Sequence, residues 1–244
     1  TPGVFCWQEK RAIENVGLYI PGGTAPLFSS VLMLAIPAMI ANCKNIVLCS
    51  PPNNNGELHP AILYCAKLCK VNKVICVGGA QSIAAMSIGT ESVPKVNKIF
   101  GPGNQYVTYA KLKSINYKTA IDMPAGPSEL LVLADQYANP EYIASDLLSQ
   151  AEHGPDSQVI FVSLSKSLIN DVEKCINDQI ENLDRKDFIN KSISNSKLIF
   201  FDNKEDAVEF INQYAPEHYI INVQDESFFI DNIVSAGSVF IGNY

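Results

Sequence analysis

Short apolar runs alternate with longer amphipathic stretches along the chain, and this rhythm constrains the fold more than any other feature. Strand-like runs are VGLYI (16–20), NIVLC (45–49), KVICV (73–77), KIF (98–100), LLVLA (130–134), QVIFV (158–162), KLIFF (197–201), YIINV (219–223) and SVFIG (238–242). Helical periodicity fills the intervals near 28–42, 57–69, 80–88, 103–114, 140–152, 166–183, 204–213 and 226–234. Runs apolar on both faces and separated by helices belong to parallel sheets covered on each side. The expected class is therefore α/β, with mostly parallel sheets flanked by helices. About four strands fall on each side of MPAGPSE (123–129), where Pro and Gly interrupt the pattern. Two lobes of similar build are predicted, over 16–128 and 129–244, with 1–15 associated with the second.

The 47% hydrophobic content over 244 residues is ample for a sizeable core in each lobe. A net charge of -7, with Lys and Arg scattered, argues against binding a nucleic-acid backbone and for a small-molecule partner. The seven cysteines sit mostly in apolar segments and read as reduced core thiols of a cytoplasmic-type compartment. No apolar run reaches membrane-span length, since VLMLAIPAMIA carries a proline and stops at Asn42. The start has no secretory pattern. It also has no methionine, and the last residues, VFIGNY, read as a strand end, so truncation at both termini is expected.

In open parallel sheets ligands sit beyond the carboxyl ends of the strands, so the loops there are the place to look for chemistry. Three of them are glycine-rich: YIPGGTAPL, VGGAQS and FGPGNQ. Glycines at such turns let backbone N–H groups at a helix start approach an anion or a flat ring. None matches GxGxxG or a Walker loop, and glycine is also an ordinary way to turn a strand into a helix. Tyr19, Gln81 and Asn104 stand at these loops. They suit stacking and hydrogen bonding to a nucleotide, or equally strand-end packing for Tyr19 and capping for the two amides.

A second signal is LLSQAEHGPDSQ (147–158), which puts Gln150 and His153, three apart on one helix face, beside a Gly-Pro break. The pair suits one metal, but zinc takes three or four donors and rarely an amide; the alternative is a helix C-terminus with a capping Gln and a dipole-facing His. A third is YAPEHYIIN (214–222), with Glu217 and His218 adjacent before a strand. Neighbours entering a strand point to opposite sides, so carboxylate and imidazole would serve two faces of a substrate as separate proton-transfer groups, or else form a solvated loop pair. His59, at a helix start before Pro60, reads as a surface residue.

Taken together, VGLYIPGGTAPLFSSVLMLA, VGGAQSIAA, ESVPKVNKIFGPGN, AIDMPAGPSE, DLLSQAEHGPDSQVI, PEHYII and AGSVFIG closely resemble the histidinol dehydrogenase family over essentially the whole chain. The resemblance implies two incomplete Rossmann-like lobes within a domain-swapped homodimer, and oxidation of L-histidinol to L-histidine with two NAD in succession and one zinc. It assigns Tyr19, Gln81 and Asn104 to NAD contact, and Ser128 to substrate. Gln150 and His153 become zinc ligands that also touch substrate, while Glu217 and His218 become the proton-transfer pair, His218 also contacting substrate. In the implied chemistry, zinc is a template, His218 takes the hydroxyl proton, and Glu217 activates water on the aldehyde.

Family chains continue past GSVFIG to an Asp zinc ligand, and later to a His contributed across the dimer. This chain stops at Tyr244, and the family's N-terminal helical region is likewise absent. Half a zinc shell implies weak metal binding and a poorly active fragment. A non-catalytic nucleotide-binding module is the alternative, disfavoured by an intact Glu217 and His218. A zinc hydrolase lacks any HExxH.

Overall fold

The computed structural model describes residues 2–22, 27–124, 128–155 and 157–243. Contacts divide the chain into two units, Thr1–Gly126 and Pro127–Tyr244. The division falls inside the Pro/Gly interruption at 123–129.

The first unit runs β1 (Asn15–Tyr19), α1 (Phe28–Ile40), β2 (Asn45–Cys49), α2 (Pro60–Leu68), β3 (Lys73–Ile75), α3 (Gly79–Ile88), β4 (Lys98–Phe100), α4 (Gln105–Ser114) and β5 (Ala120–Ile121). Its sheet has the order β3-β2-β1-β4-β5 with every pair parallel. Alternation along the strands separates two cores. Val16, Leu18, Ile46 and Leu48 pack under α1 and α2, while Tyr19, Val47, Cys49 and Ile99 pack with residues of α3 and α4. Each face buries apolar side chains at about 25 cal/mol per Å², which holds helices of modest intrinsic propensity in place.

The second unit runs β6 (Glu129–Ala134), α5 (Pro140–Ala151), β7 (Gln158–Ser163), α6 (Lys166–Ile180), α7 (Lys186–Ser194), β8 (Lys197–Phe200), α8 (Lys204–Tyr214), β9 (His218–Asn222), α9 (Glu226–Asp231) and β10 (Ser238–Ile241). Its sheet order is β10-β9-β6-β7-β8, again all parallel. Counted within the unit, this is the third-second-first-fourth-fifth order of the first sheet. Both units are thus doubly wound, with the winding reversing between β1 and β4 and between β6 and β9. Leu130, Val132 and Ala134 face α5, α6 and α7, while Leu131 and Leu133 face α8 and α9.

The α/β class and the two Rossmann-like lobes of parallel strands stand as expected, with five strands per sheet where about four were counted. β5 is two residues long, too short to show a period. α7, nine residues long, was missed: Ile189 and Ser192 are buried and Ile193 packs on the same core, but the helix is short and most of its residues are polar. β10 has the sequence of a buried strand, yet all four of its residues are exposed at the sheet edge. Residues 1–15, joined to the second lobe in the sequence reading, group with the first unit: Glu14 accepts the Asn45 N–H at 2.9 Å, and Arg11, Ala12 and Ile13 line an apolar cleft with α1 and Phe100. All seven cysteines are free; Cys49, Cys65 and Cys69 are buried as expected of core thiols, but Cys6 and Cys76 are exposed. Among the described residues no helix is long and apolar enough to cross a membrane.

Candidate active site

At the carboxyl ends of the first sheet, three loops meet on Pro51. A Cβ added to Gly78 would come within 2.3 Å of Pro51 Cβ, and one on Gly22 within 2.5 Å of Pro51 Cγ, so glycine is required for this approach. Gly23–Pro26, the rest of the first glycine turn, lie outside the described residues. Tyr19 ends β1 with its ring in the core, 4% exposed, and only its hydroxyl reaches the loops, accepting the Gly79 N–H at 3.1 Å. Burial raises the phenol's pKa, opposed by the Gly79 bond and reinforced by Cys49. The phenol therefore keeps its proton. Gln81 is exposed in the first turn of α3, and its amide folds back over Gly79. Asn104 caps α4, its Oδ1 accepting the N–H groups of Tyr106 and Val107 at 3.1 Å each.

Sequence reading missed what holds the FGPGNQ loop. Lys111, 3% exposed, pairs with Asp122 and donates to the Gly101 carbonyl at 2.8 Å, while Asp122 Oδ2 accepts the Gly101 N–H at 2.8 Å. Gly101 has φ +128°, and a Cβ there would sit 2.0 Å from the Tyr19 carbonyl oxygen. A charge pair thus clamps a turn that only glycine can make. Its one sequence signal is a lysine at an otherwise buried helix position.

In the second unit the expected residues gather at the amino ends of the strands, not the carboxyl ends where loop chemistry was sought. Ser128 immediately precedes β6, Glu217 precedes β9, His218 is its first residue, and the end of α5 leads towards β7. Ile220 and Leu130 both pack in the cluster with α5, and the period-two pleat places His218 and Ser128 on that same face. Glu217 and His218 do not part to opposite sides. Glu217 Oε2 accepts the Glu129 N–H at 3.2 Å, His218 Nδ1 lies 3.2 Å from the Glu129 carbonyl, and the two side chains approach to 3.7 Å. A carbonyl can only accept, so Nδ1 carries the proton and Nε2 of the neutral ring keeps its lone pair. Phe240 of β10 stacks on the imidazole at 6.3 Å and 15°. Gly237 makes room, because a Cβ there would come within 2.5 Å of the Glu217 carbonyl oxygen.

Helix α5 starts at Pro140 under an Asn139 cap, whose side chain accepts the Glu141 N–H at 2.9 Å. It ends in a tightened turn, the His153 N–H donating to the Gln150 carbonyl at 3.2 Å. Among the described residues Gln150 Nε2 is buried with no partner, whereas His153 is exposed. Buried amides normally find partners, so this one is free for another group, and a flipped amide would offer oxygen there. Among the described residues no group of three or more His, Cys, Asp or Glu could hold a metal ion. One amide and one imidazole fall short of the three or four donors that zinc takes. The described donor set therefore does not by itself fit a zinc site. His59, exposed as expected, caps α2 by accepting the Ala61 N–H on Nδ1 at 3.2 Å.

Two doubly wound units, one with glycine turns at its switch point and the other with a carboxylate and an imidazole docked on one peptide, define a class of two-lobed α/β proteins of Rossmann-like build. The family model described as histidinol dehydrogenase matches residues 1–244. The chain belongs to the histidinol dehydrogenase family. It is 60% identical over 242 residues to a histidinol dehydrogenase of Bacteroides fragilis (strain YCH46), covering 99% of this chain and 56% of that protein. The crystal structure of histidinol dehydrogenase from Elizabethkingia anophelis matches with a TM-score of 0.93 at 52% identity, over 100% of this chain and 56% of that one. A betaine aldehyde dehydrogenase from Staphylococcus aureus, in complex with NAD+, shares the fold alone, with a TM-score of 0.61 at 12% identity over 94% of this chain and 60% of that one. The chain spans just over half the length of the relatives it matches.

Proposed function

We propose that this chain is the core portion of an enzyme that oxidises L-histidinol to L-histidine through the aldehyde, reducing two NAD. The observation that carries the reading is the Glu129 peptide holding Glu217 through its N–H and His218 through its C=O, which leaves His218 Nε2 as a free base. Nε2 takes the substrate's hydroxyl proton in the first oxidation. Glu217, its carboxylate half-exposed, then draws a proton from the water that adds to the aldehyde, giving the gem-diol for the second oxidation. Ser128, on the face of His218, hydrogen-bonds the substrate.

The first unit fits a nucleotide. Its close-packed glycine loops, the capped start of α4 and the Tyr19 O–H present donors at a topological switch point. Bound NAD supplies the hydride acceptor; Tyr19, Gln81 and Asn104 hold and orient it. Gln150 and His153 would be two of the donors to a zinc in a form extended to the length of the relatives, where the metal would supply a template for the substrate's nitrogens; the described residues of this chain do not complete its shell. The homodimer implied by the family resemblance is part of the same proposal, to be checked by sedimentation.

NADH formation from L-histidinol with added zinc and NAD tests the reading, in this chain and in a form extended to the length of its relatives. The extended form is expected to produce two NADH per histidinol and the short chain little. Silence from the extended form would overturn it.

A further inference from the structure

We propose that Tyr214 and Gln158 are positioning residues for Glu217 and His218, an inference that rests on the proton-transfer role given to that pair above. Tyr214 closes α8 and precedes Glu217 by three positions, with Ala215 in the left-handed region at φ 55°. Its hydroxyl donates to Gln158 Oε1 at 2.9 Å, crossing to the first residue of β7. Gln158 fastens two more backbones: its Nε2 donates to the Asn195 carbonyl at 3.1 Å, and its N–H to the Ser128 carbonyl at 3.2 Å. Ser128 adjoins Glu129, whose N–H and C=O meet Glu217 and His218.

A closed circuit therefore runs from Glu217 and His218 through Glu129 and Ser128 to Gln158, across to Tyr214, and back along the chain to Glu217. One side fixes the start of β6, which supplies the hydrogen bonds. The other fixes the turn that delivers the two side chains. Opening the circuit at the Tyr214–Gln158 bond lets that turn drift relative to β6, and a catalytic group displaced by about 1 Å can lose ~100-fold in rate. The hydroxyl's contribution is separable from the ring's, because the ring packs independently, stacked on Phe210 at 6.2 Å and 11°. Burial, aided by the Glu129 carboxylate, pushes the Tyr214 phenol up to about 12, so it remains a donor throughout the neutral range.

The test is nitrogen NMR of the His218 imidazole in this chain, which reads the tautomer without any substrate. The unchanged chain is expected to show the Nδ1–H form. Tyr214→Phe and Gln158→Met are each expected to shift it towards a mixture with Nε2–H while the thermal transition stays within a few degrees. In the extended form, kcat is expected to fall about tenfold with KM held within about twofold. Tyr214→Phe should add nothing further in the Gln158→Met background, since the Tyr214–Gln158 bond is already absent there, although Gln158→Met also loses the bond to the Asn195 carbonyl. An unmoved tautomer and kcat in both single variants, or an unchanged chain that lacks the Nδ1–H form, would overturn the proposal. If the extended form does not oxidise histidinol, the functional reading fails, while the tautomer result still decides whether this pair positions His218.

Discussion

His218 and Glu217 each have one bond to the Glu129 peptide and one free function, so substitutions can separate anchoring from chemistry. His218→Asn keeps an N–H donor near the Nδ1 position and removes the base. It is expected to slow alcohol oxidation by about 10²- to 10⁴-fold. Glu217→Gln keeps the acceptor for the Glu129 N–H and is expected to slow the aldehyde step selectively, read as NADH formed from aldehyde against alcohol. Equal slowing of both steps by both variants would reject the division of labour. Asp146, on α5, makes a different residue-scale case, because burial raises its carboxyl pKa. A raised acid favours folding only when protonated, so its cost is present at neutral pH and fades as pH falls through the folded-state value. Asp146→Asn is expected to stabilise the chain at pH 7 by less than about 1 kcal/mol, given its partial exposure, and to give no gain at acid pH. Thermal melts at several pH values check the sign; a gain that persists at acid pH would refute the assignment.

At the scale of elements, what the sequence disclosed depended on how much each element buries. β1, β2, β6 and β7 carry unbroken apolar runs because both of their faces are covered, and such runs are readable without context. β5 is too short to show a period, and α7 is a short helix whose few apolar residues, Phe188, Ile189 and Ile193, stand among polar ones. The site divides in the same way. Gln150, His153, Glu217 and His218 stood out by residue type, but the docking of Glu217 and His218 on the Glu129 peptide did not, since bonds to main chain leave no mark on the sequence of the residue that makes them. The α4 start shows a residue legible in two ways satisfying the structural one, Asn104 capping the helix. Asn104→Ala removes the cap and is expected to cost about 1 kcal/mol. In the Lys111–Asp122 clamp behind it the lysine is buried and the aspartate partly exposed, and Lys111→Met, which removes the charge partner of Asp122, is expected to cost up to ~3 kcal/mol. Denaturant melts measure both. If the FGPGNQ loop holds NAD, each should also weaken NAD binding by more than the unrelated Asp146→Asn does.

At the scale of the molecule, the same strand order occurs twice but the chemistry does not. The first unit keeps glycine turns at its carboxyl edge; the second has Asp135 there, its two carboxylate oxygens accepting the N–H groups of Tyr137 and Gln224, and its catalytic candidates stand at the opposite edge. In the proposed function one winding pattern would serve a nucleotide at one end and proton transfer at the other, so a rule that looks only beyond the carboxyl ends of strands points to the glycine turns and not to Glu217 and His218. The metal completes the contrast, because Gln150 and His153 lie at the amino edge with one unpartnered amide and one exposed imidazole between them. Two donors give up most of the affinity of a full shell, and affinity that requires a deprotonated imidazole falls further as pH drops. Zinc is therefore expected to exchange freely from this chain, with no stoichiometric metal retained after dialysis. His153→Ala is expected to change that little in the short chain, but to abolish retention in a form extended to the length of the relatives. Metal analysis of the four dialysed samples decides the matter: one tightly held zinc per short chain would mean that its own residues complete a shell that Gln150 and His153 alone do not.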